Sequence, residues 1–184
     1  MLQEGEIQKL VARAQSGRSD SISGIYEVFK DRIYRFFLFR SENRETAEDL
    51  TQSVFLEMIR SLPRYKEQSN AKFSTWLFQI ARFRLIDYYR KARKKVNLDD
   101  LEGERHPSLT TEPEEVAIDT RYEAARKILK ELPEKYQTVI HLTIIEEFSL
   151  AETAKIMSIT IINVRVLKFR ALKKIRLIME QDEK

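Results

Sequence analysis

The sequence predicts an all-α protein: two small helical domains joined by an acidic linker, the second ending in a helix-turn-helix. Three observations carry this. Glycine and proline number only four each in 184 residues, too few for turn-rich β architectures. Apolar residues recur at helical spacing through both halves of the chain. Charge is also partitioned along the chain. Residues 1–95 carry 19 basic and 12 acidic side chains, residues 96–121 carry 2 and 8, and residues 122–184 carry 12 and 9. The acidic block also holds Gly103, Pro107, Pro113 and the polar run Ser108–Thr111, so composition, charge and helix breakers shift together there. The domains are therefore set at 1–95 and 122–184, with 96–121 as the linker. The competing reading is an acidic surface loop within one domain.

Four helices are expected in the first block. Ile7, Leu10, Val11 and Ala14 keep i, i+3, i+4, i+7 spacing, and Ser16-Gly17 ends that helix. Ile22, Ile25, Tyr26, Phe29, Ile33, Phe36 and Phe37 form a longer second stripe. Asn43 can cap a third helix, where Ala47, Leu50, Val54, Met58 and Leu62 form the buried face before Pro63. Ser74 can cap a fourth, running from Thr75 to about Arg93. Projected at about 100° per residue, its Leu77, Ala81, Leu85, Tyr88 and Tyr89 share a core arc. Arg82, Arg90 and Arg93 share another arc with Gln79. Trp76, Ile80 and Phe83 form an apolar group off that core. A neighbouring helix, residues 44–62, can cover this group. Alternatively, it is an aromatic surface beside arginines, of the kind that stacks unpaired bases and holds phosphates.

The second block reads as helices Tyr122–Leu132 and Glu134–Glu146 separated by Pro133, followed by two shorter signals. Ser149-Leu150-Ala151-Glu152 is a capping box. After a break at Ser158-Ile159, Thr160 caps a last helix through Val164, Leu167, Ala171, Leu172, Ile175 and Ile178. Capped helix, short turn, capped helix is the helix-turn-helix pattern. Ala154 is small where the two helices meet, and Ile159 and Val164 fill the space between them. Asn163, Arg165, Lys168, Phe169 and Arg170 project outward, able to reach base edges and phosphates in a major groove. An ordinary helical hairpin with a solvated basic face would show the same pattern.

Other classes are disfavoured. The chain has no cysteine and two distant histidines, His106 and His141, so neither a metal site nor a thiol or histidine catalyst is expected, and no cofactor is implied. No stretch approaches 18 apolar residues, and Met1–Leu10 carries acids where a signal peptide needs a basic and then apolar run. A cytoplasmic protein without membrane insertion is expected, and not an enzyme.

Two separate stretches resemble one family. Glu45-Thr46-Ala47-Glu48-Asp49-Leu50-Thr51-Gln52-Ser53-Val54-Phe55 is similar to the core-binding helix of bacterial sigma factors. Phe73-Ser74-Thr75-Trp76-Leu77-Phe78-Gln79-Ile80-Ala81-Arg82, with Ile86-Asp87-Tyr88-Tyr89-Arg90-Lys91, resembles their promoter-melting helix. Leu132-Pro133-Glu134 and Phe148–Ala154 resemble the start and the helix-turn-helix of their last domain. Order and spacing look like the two-domain extracytoplasmic-function class.

The resemblance implies a subunit that binds core RNA polymerase through Asp49, Gln52, Ser53 and Phe55. It would open a −10 element with Trp76 and Phe83, assisted by Lys72, Gln79, Arg82, Arg84, Arg90 and Lys91, and capture a flipped base in the loop Arg64–Lys72. It would read a −35 element in promoter DNA with Ser149, Thr160, Asn163, Arg165, Lys168, Phe169 and Arg170. The acidic linker would thread the polymerase's RNA channel. With the sequence ending six residues past Ile178, a sensing domain is not expected, and the implied regulator is a separate anti-sigma factor. Departures from the family pattern fall at Phe83 (usually Asn), Ser158 (usually Gly), Ile161-Ile162 (usually small or polar) and Val166-Leu167-Lys168 (commonly Ser-Arg-Leu). A dimeric helix-turn-helix regulator would account for the second block but not for the Asp49–Phe55 motif or the Trp76 group. A nuclease would need a carboxylate cluster for metal that the scattered acids do not supply.

Overall fold

The computed structural model describes residues 3–66, 72–102 and 127–182, with side chains placed to 92 and 181 at the ends of the second and third stretches. The described residues form helices without strands. In the first block these are α1 (Glu4–Gln15), α2 (Ser19–Leu38), α3 (Arg44–Ser61) and α4 (Phe73–Glu102), with a single 3-10 turn at Leu62–Arg64. In the second block a helical turn at 127–130 precedes α5 (Glu134–Ile140). A wider π turn follows at His141–Ile145, then α6 (Leu150–Met157) and α7 (Ile161–Asp182).

The local signals act as expected in α1–α3. Ile7, Val11 and Ala14 bury the inner face of α1, and the chain leaves it through Gly17 at φ +89°. Ile25, Phe29, Ile33, Phe36 and Phe37 of α2 are buried, with Ala47, Val54 and Met58 of α3 packed across from them. The Asn43 side chain accepts a hydrogen bond from the Thr46 amide at 2.8 Å, and Pro63 falls in the turn that ends α3.

Three expectations need correction. Ser74 is not the N-cap of α4: the Trp76 amide donates to the Lys72 carbonyl at 3.3 Å, the helix begins at Phe73, and Ser74 is buried in its first turn. At its other end α4 continues to Glu102, so the first part of the expected linker is helical. The remainder, residues 103–121, lies outside the described residues, as does 122–126 of the expected helix Tyr122–Leu132. Finally, α5 does not run as one α-helix to Glu146. The Glu146 amide bonds the His141 carbonyl, five residues back, at 2.9 Å, and Phe148 bonds Leu142 at 2.9 Å. This π turn redirects the Glu146 side chain into the protein.

The helix-turn-helix is formed by α6 and α7. The Ser149 hydroxyl accepts from the Glu152 amide at 3.2 Å while the Glu152 carboxylate accepts from the Ser149 amide at 2.9 Å. Between the helices Ser158 adopts φ 53°, ψ 46°, and the Ile159 amide reaches back to Ala154 at 3.1 Å, a Schellman-type ending. Thr160 Oγ1 then accepts from the Asn163 amide at 3.2 Å. Ala154, Val164 and Ala171 are buried where the helices meet.

The two blocks pack directly on each other, with α4 against α6 and α2 facing the π turn. Phe78 shows why. It lies off the core arc of α4, yet it is fully buried, its ring 5.7 Å from Phe36 and 5.1 Å from Phe148 of the second block.

Candidate nucleic-acid interface and the contact between the domains

Along α3, Asp49 and Gln52 are exposed on one face, as their spacing of three requires. Ser53 is half-buried and donates its hydroxyl to the Leu50 carbonyl at 2.7 Å. Phe55 does not join the exposed face: it is buried, its ring edge-on to Tyr26 at 4.8 Å. Leu56, 57 % exposed, and Ile59 continue the Gln52 face instead. They went unnoticed in the sequence because an apolar residue in a helix is ordinarily assigned to its core. Beside this face a groove of about 480 Å³ runs between α2 and α3, lined by Tyr26, Lys30, Tyr34, Arg44, Glu48 and Gln52.

The aromatic group of α4 divides. Ile80 is buried rather than off the core, because α4 is covered on a second side. Trp76 is half-buried in a stack with Tyr65 at 4.7 Å and Phe73 at 5.3 Å. Phe83 is 58 % exposed and free to meet a ligand. Arg84 is paired with Glu57 of α3 at 2.8 Å and Arg90 with Asp87 at 3.0 Å, while Lys91 is exposed. Of the base-capture loop Arg64–Lys72, residues 67–71 lie outside the described residues.

Three members of the expected −10 set turn toward the second block. Lys72 Nζ lies 3.2 Å from Glu152, Gln79 donates to the Lys155 carbonyl at 3.1 Å, and half-buried Arg82 feels the Glu134 carboxylate. Glu152 thus serves two helices, capping α6 and holding Lys72. Burial alone would raise its carboxyl pKa; the Ser149 hydrogen bonds and the Lys72 ammonium outweigh that and hold it low.

The deepest part of the contact is polar. Arg32 of α2 donates to Glu146 at 2.6 Å, both side chains largely buried. The guanidinium lies over the rings of Phe29, Phe78 and Phe148 at 5.3, 5.5 and 5.9 Å. The other Glu146 oxygen is 3.5 Å from Nε2 of His141. His141 is fully buried, its ring edge-on to Phe36 at 5.2 Å and near Phe39 at 5.9 Å. Burial, reinforced by Arg40 and Arg35, pushes its imidazole down to about 4 despite Glu146. Arg40 itself is buried, bonded to the Phe36 carbonyl and, at 2.9 Å, to the Gln137 carbonyl.

On α7, Asn163, Arg165, Phe169 and Arg170 are exposed and Lys168 half-exposed, all clear of the buried row Val164, Ala171 and Ile178. Ser149 and Thr160 sit at the helix starts, both engaged in capping. Among the described residues, no group of three or more His, Asp or Glu could hold a metal ion, and no helix is long and apolar enough to cross a membrane.

A capped helix-turn-helix with an outward basic face, preceded by a helix bearing arginines and an exposed aromatic, is an arrangement suited to binding nucleic acid. Comparison with known proteins narrows the class. The model for Sigma-70 region 2 matches residues 25–95 and that for Sigma-70, region 4 matches residues 122–175. The chain belongs to the sigma-70 family. It is similar to the ECF RNA polymerase sigma factor SigM of Bacillus subtilis, 32% identical over 158 residues, covering 85% of this chain and 93% of SigM. Its fold is that of CnrH, solved in complex with the cytosolic domain of CnrY (TM-score 0.70, 21% identity, 94% of this chain and 96% of that one). It is also that of the sigma factor RpoE, solved with the anti-sigma factor NepR from Bartonella quintana (TM-score 0.67, 21% identity, 86% and 96%). The chain is thus a sigma factor of the extracytoplasmic-function group, acting in promoter recognition and transcription initiation.

Proposed function

We propose that the first domain docks on core RNA polymerase through the face formed by Asp49, Gln52, Leu56 and Ile59, with Phe55 supporting that face from beneath. The observation that supports this most is an exposed row combining an acid, an amide and two apolar side chains on one helix. In this reading Phe83, Trp76 and the arginines of α4 open and hold the −10 strand, while α7 reads the −35 duplex. Binding to polymerase in the cytoplasm needs no further chemistry of the chain, which transfers no group and takes no cofactor. Lys72, Gln79 and Arg82 face the second domain, so these three side chains meet DNA only after the domains part, whereas Phe83 and Lys91 are exposed already. A separate anti-sigma factor, like the NepR solved with RpoE, would act by holding the chain away from polymerase. The test is co-purification with core polymerase. Asp49→Ala with Gln52→Ala should weaken the complex at least tenfold with helicity unchanged; unaltered affinity would remove this face from the reading.

A further inference from the structure

The recognition helix α7 departs from a simple basic face. Ile162, Val166 and Phe169 stand at i, i+4 and i+7, so they share one side of the helix, turned away from the buried row Val164, Ala171 and Ile178. Ile162 is 71 % exposed and Phe169 69 %. Single exposed apolar residues are ordinary, but a continuous row rimmed by cations marks a binding surface. Here the rim is Arg165, Arg170 and Lys173, all exposed, with Lys168 beside them.

That rim favours a polyanion over a protein as the occupant. It neutralises phosphates, and the row lies on the second helix of a helix-turn-helix, the element that enters a major groove. The major groove has one strongly apolar feature, the 5-methyl group of thymine. At about 1.5 Å rise per residue, Ile162 and Phe169 are about 10.5 Å apart along the axis, close to three base steps of about 3.4 Å. Asn163 follows Ile162 and carries the amide that pairs with the N6 and N7 edge of adenine. A methyl reader beside an adenine reader suits T·A pairs.

We propose that Ile162 and Val166, with Phe169 at the far end of the row, set the −35 specificity of this factor by packing on thymine methyl groups. This rests on the reading of α7 as the −35 helix. Each methyl removed from water is worth about a fourfold change in affinity.

The experiment uses holoenzyme assembled from the full chain and core polymerase. Duplexes with a fixed −10 element and a randomised upstream element are selected for binding, and the enriched duplex is remade with uracil for each thymine in turn. That change deletes the methyl and keeps every hydrogen-bonding edge. Affinity should fall about fourfold at one or more positions. Ile162→Ala, a solvent-face change checked for helicity, should lose both the thymine enrichment and the uracil sensitivity while binding remains salt-dependent. An enriched element that lacks thymine, or equal affinity for thymine and uracil duplexes, overturns the proposal, keeps the −35 reading, and leaves the row to a protein partner. No enrichment anywhere upstream overturns both.

Discussion

The contact between the domains is held at its centre by Arg32 and Glu146, and its strength is testable by a double-mutant cycle. Both side chains are largely buried, so replacing either alone with methionine strands the other's charge: Arg32 over the rings of Phe29, Phe78 and Phe148, or Glu146 beside the buried His141. Breaking a buried pair in this way costs about 3–5 kcal/mol, whereas replacing both members with apolar groups is often close to neutral. Arg32→Met and Glu146→Met should therefore each shift the closed–open balance toward open by roughly a hundred- to a thousandfold or more. The double variant should recover most of that loss. The chain lacks cysteine and has one tryptophan. Dyes on cysteines introduced at exposed Ser23 and Lys174 would report domain separation by energy transfer, while Trp76 emission reports the first domain during urea titration. Losses below about 1 kcal/mol in each single variant, adding simply in the double, would mark an ordinary exposed pair and refute the reasoning.

Acid should loosen the same contact. His141 is held neutral, with its pKa depressed to about 4 from an ordinary 6.5. Its contribution is complete above about pH 6.5 and is lost as pH falls toward 4; Glu146, also held low, works in the same direction below its ordinary range. Between pH 7 and 5 stability should fall by about 2 kcal/mol and energy transfer should drop with it, and His141→Gln should flatten both. Ser158 sits at φ 53°, so Ser158→Gly should raise stability by about 1 kcal/mol, or about 2–4 °C in melting temperature; a fall would mean its hydroxyl matters more than its backbone. Phe83→Ala should leave melting unchanged and slow open-complex formation by roughly tenfold to a hundredfold, with rescue on a template already opened at −10. Trp76→Ala should also lower stability, because its ring packs on Tyr65 and Phe73.

Features that depend on neighbouring residues were legible in the sequence. Helical spacing gave α1 to α3, Asn43 and Thr160 cap as their side chains require, and Ser158 occupies the left-handed position that a glycine usually fills. Features that depend on distant packing were not. Phe78 is buried on a side of α4 that the local periodicity leaves open; the second domain, which covers it, is more than sixty residues away in the chain. The π turn that aims Glu146 at Arg32 contains no glycine or proline to announce it. The burial of Phe55 was not legible either, since its place in the motif points to polymerase while the ring packs on Tyr26 of another helix. The apolar departures on α7 were visible, but their alignment into one exposed row required the helix to be placed.

Promoter-selective run-off transcription with purified core polymerase tests the central claim most directly. Core enzyme and this chain together should yield one discrete transcript from a duplex promoter, and neither should do so alone. The transcript should disappear when either the −10 or the −35 element is scrambled. Transcription that ignores the chain, or tight promoter binding by the chain that core polymerase does not alter, would contradict the account.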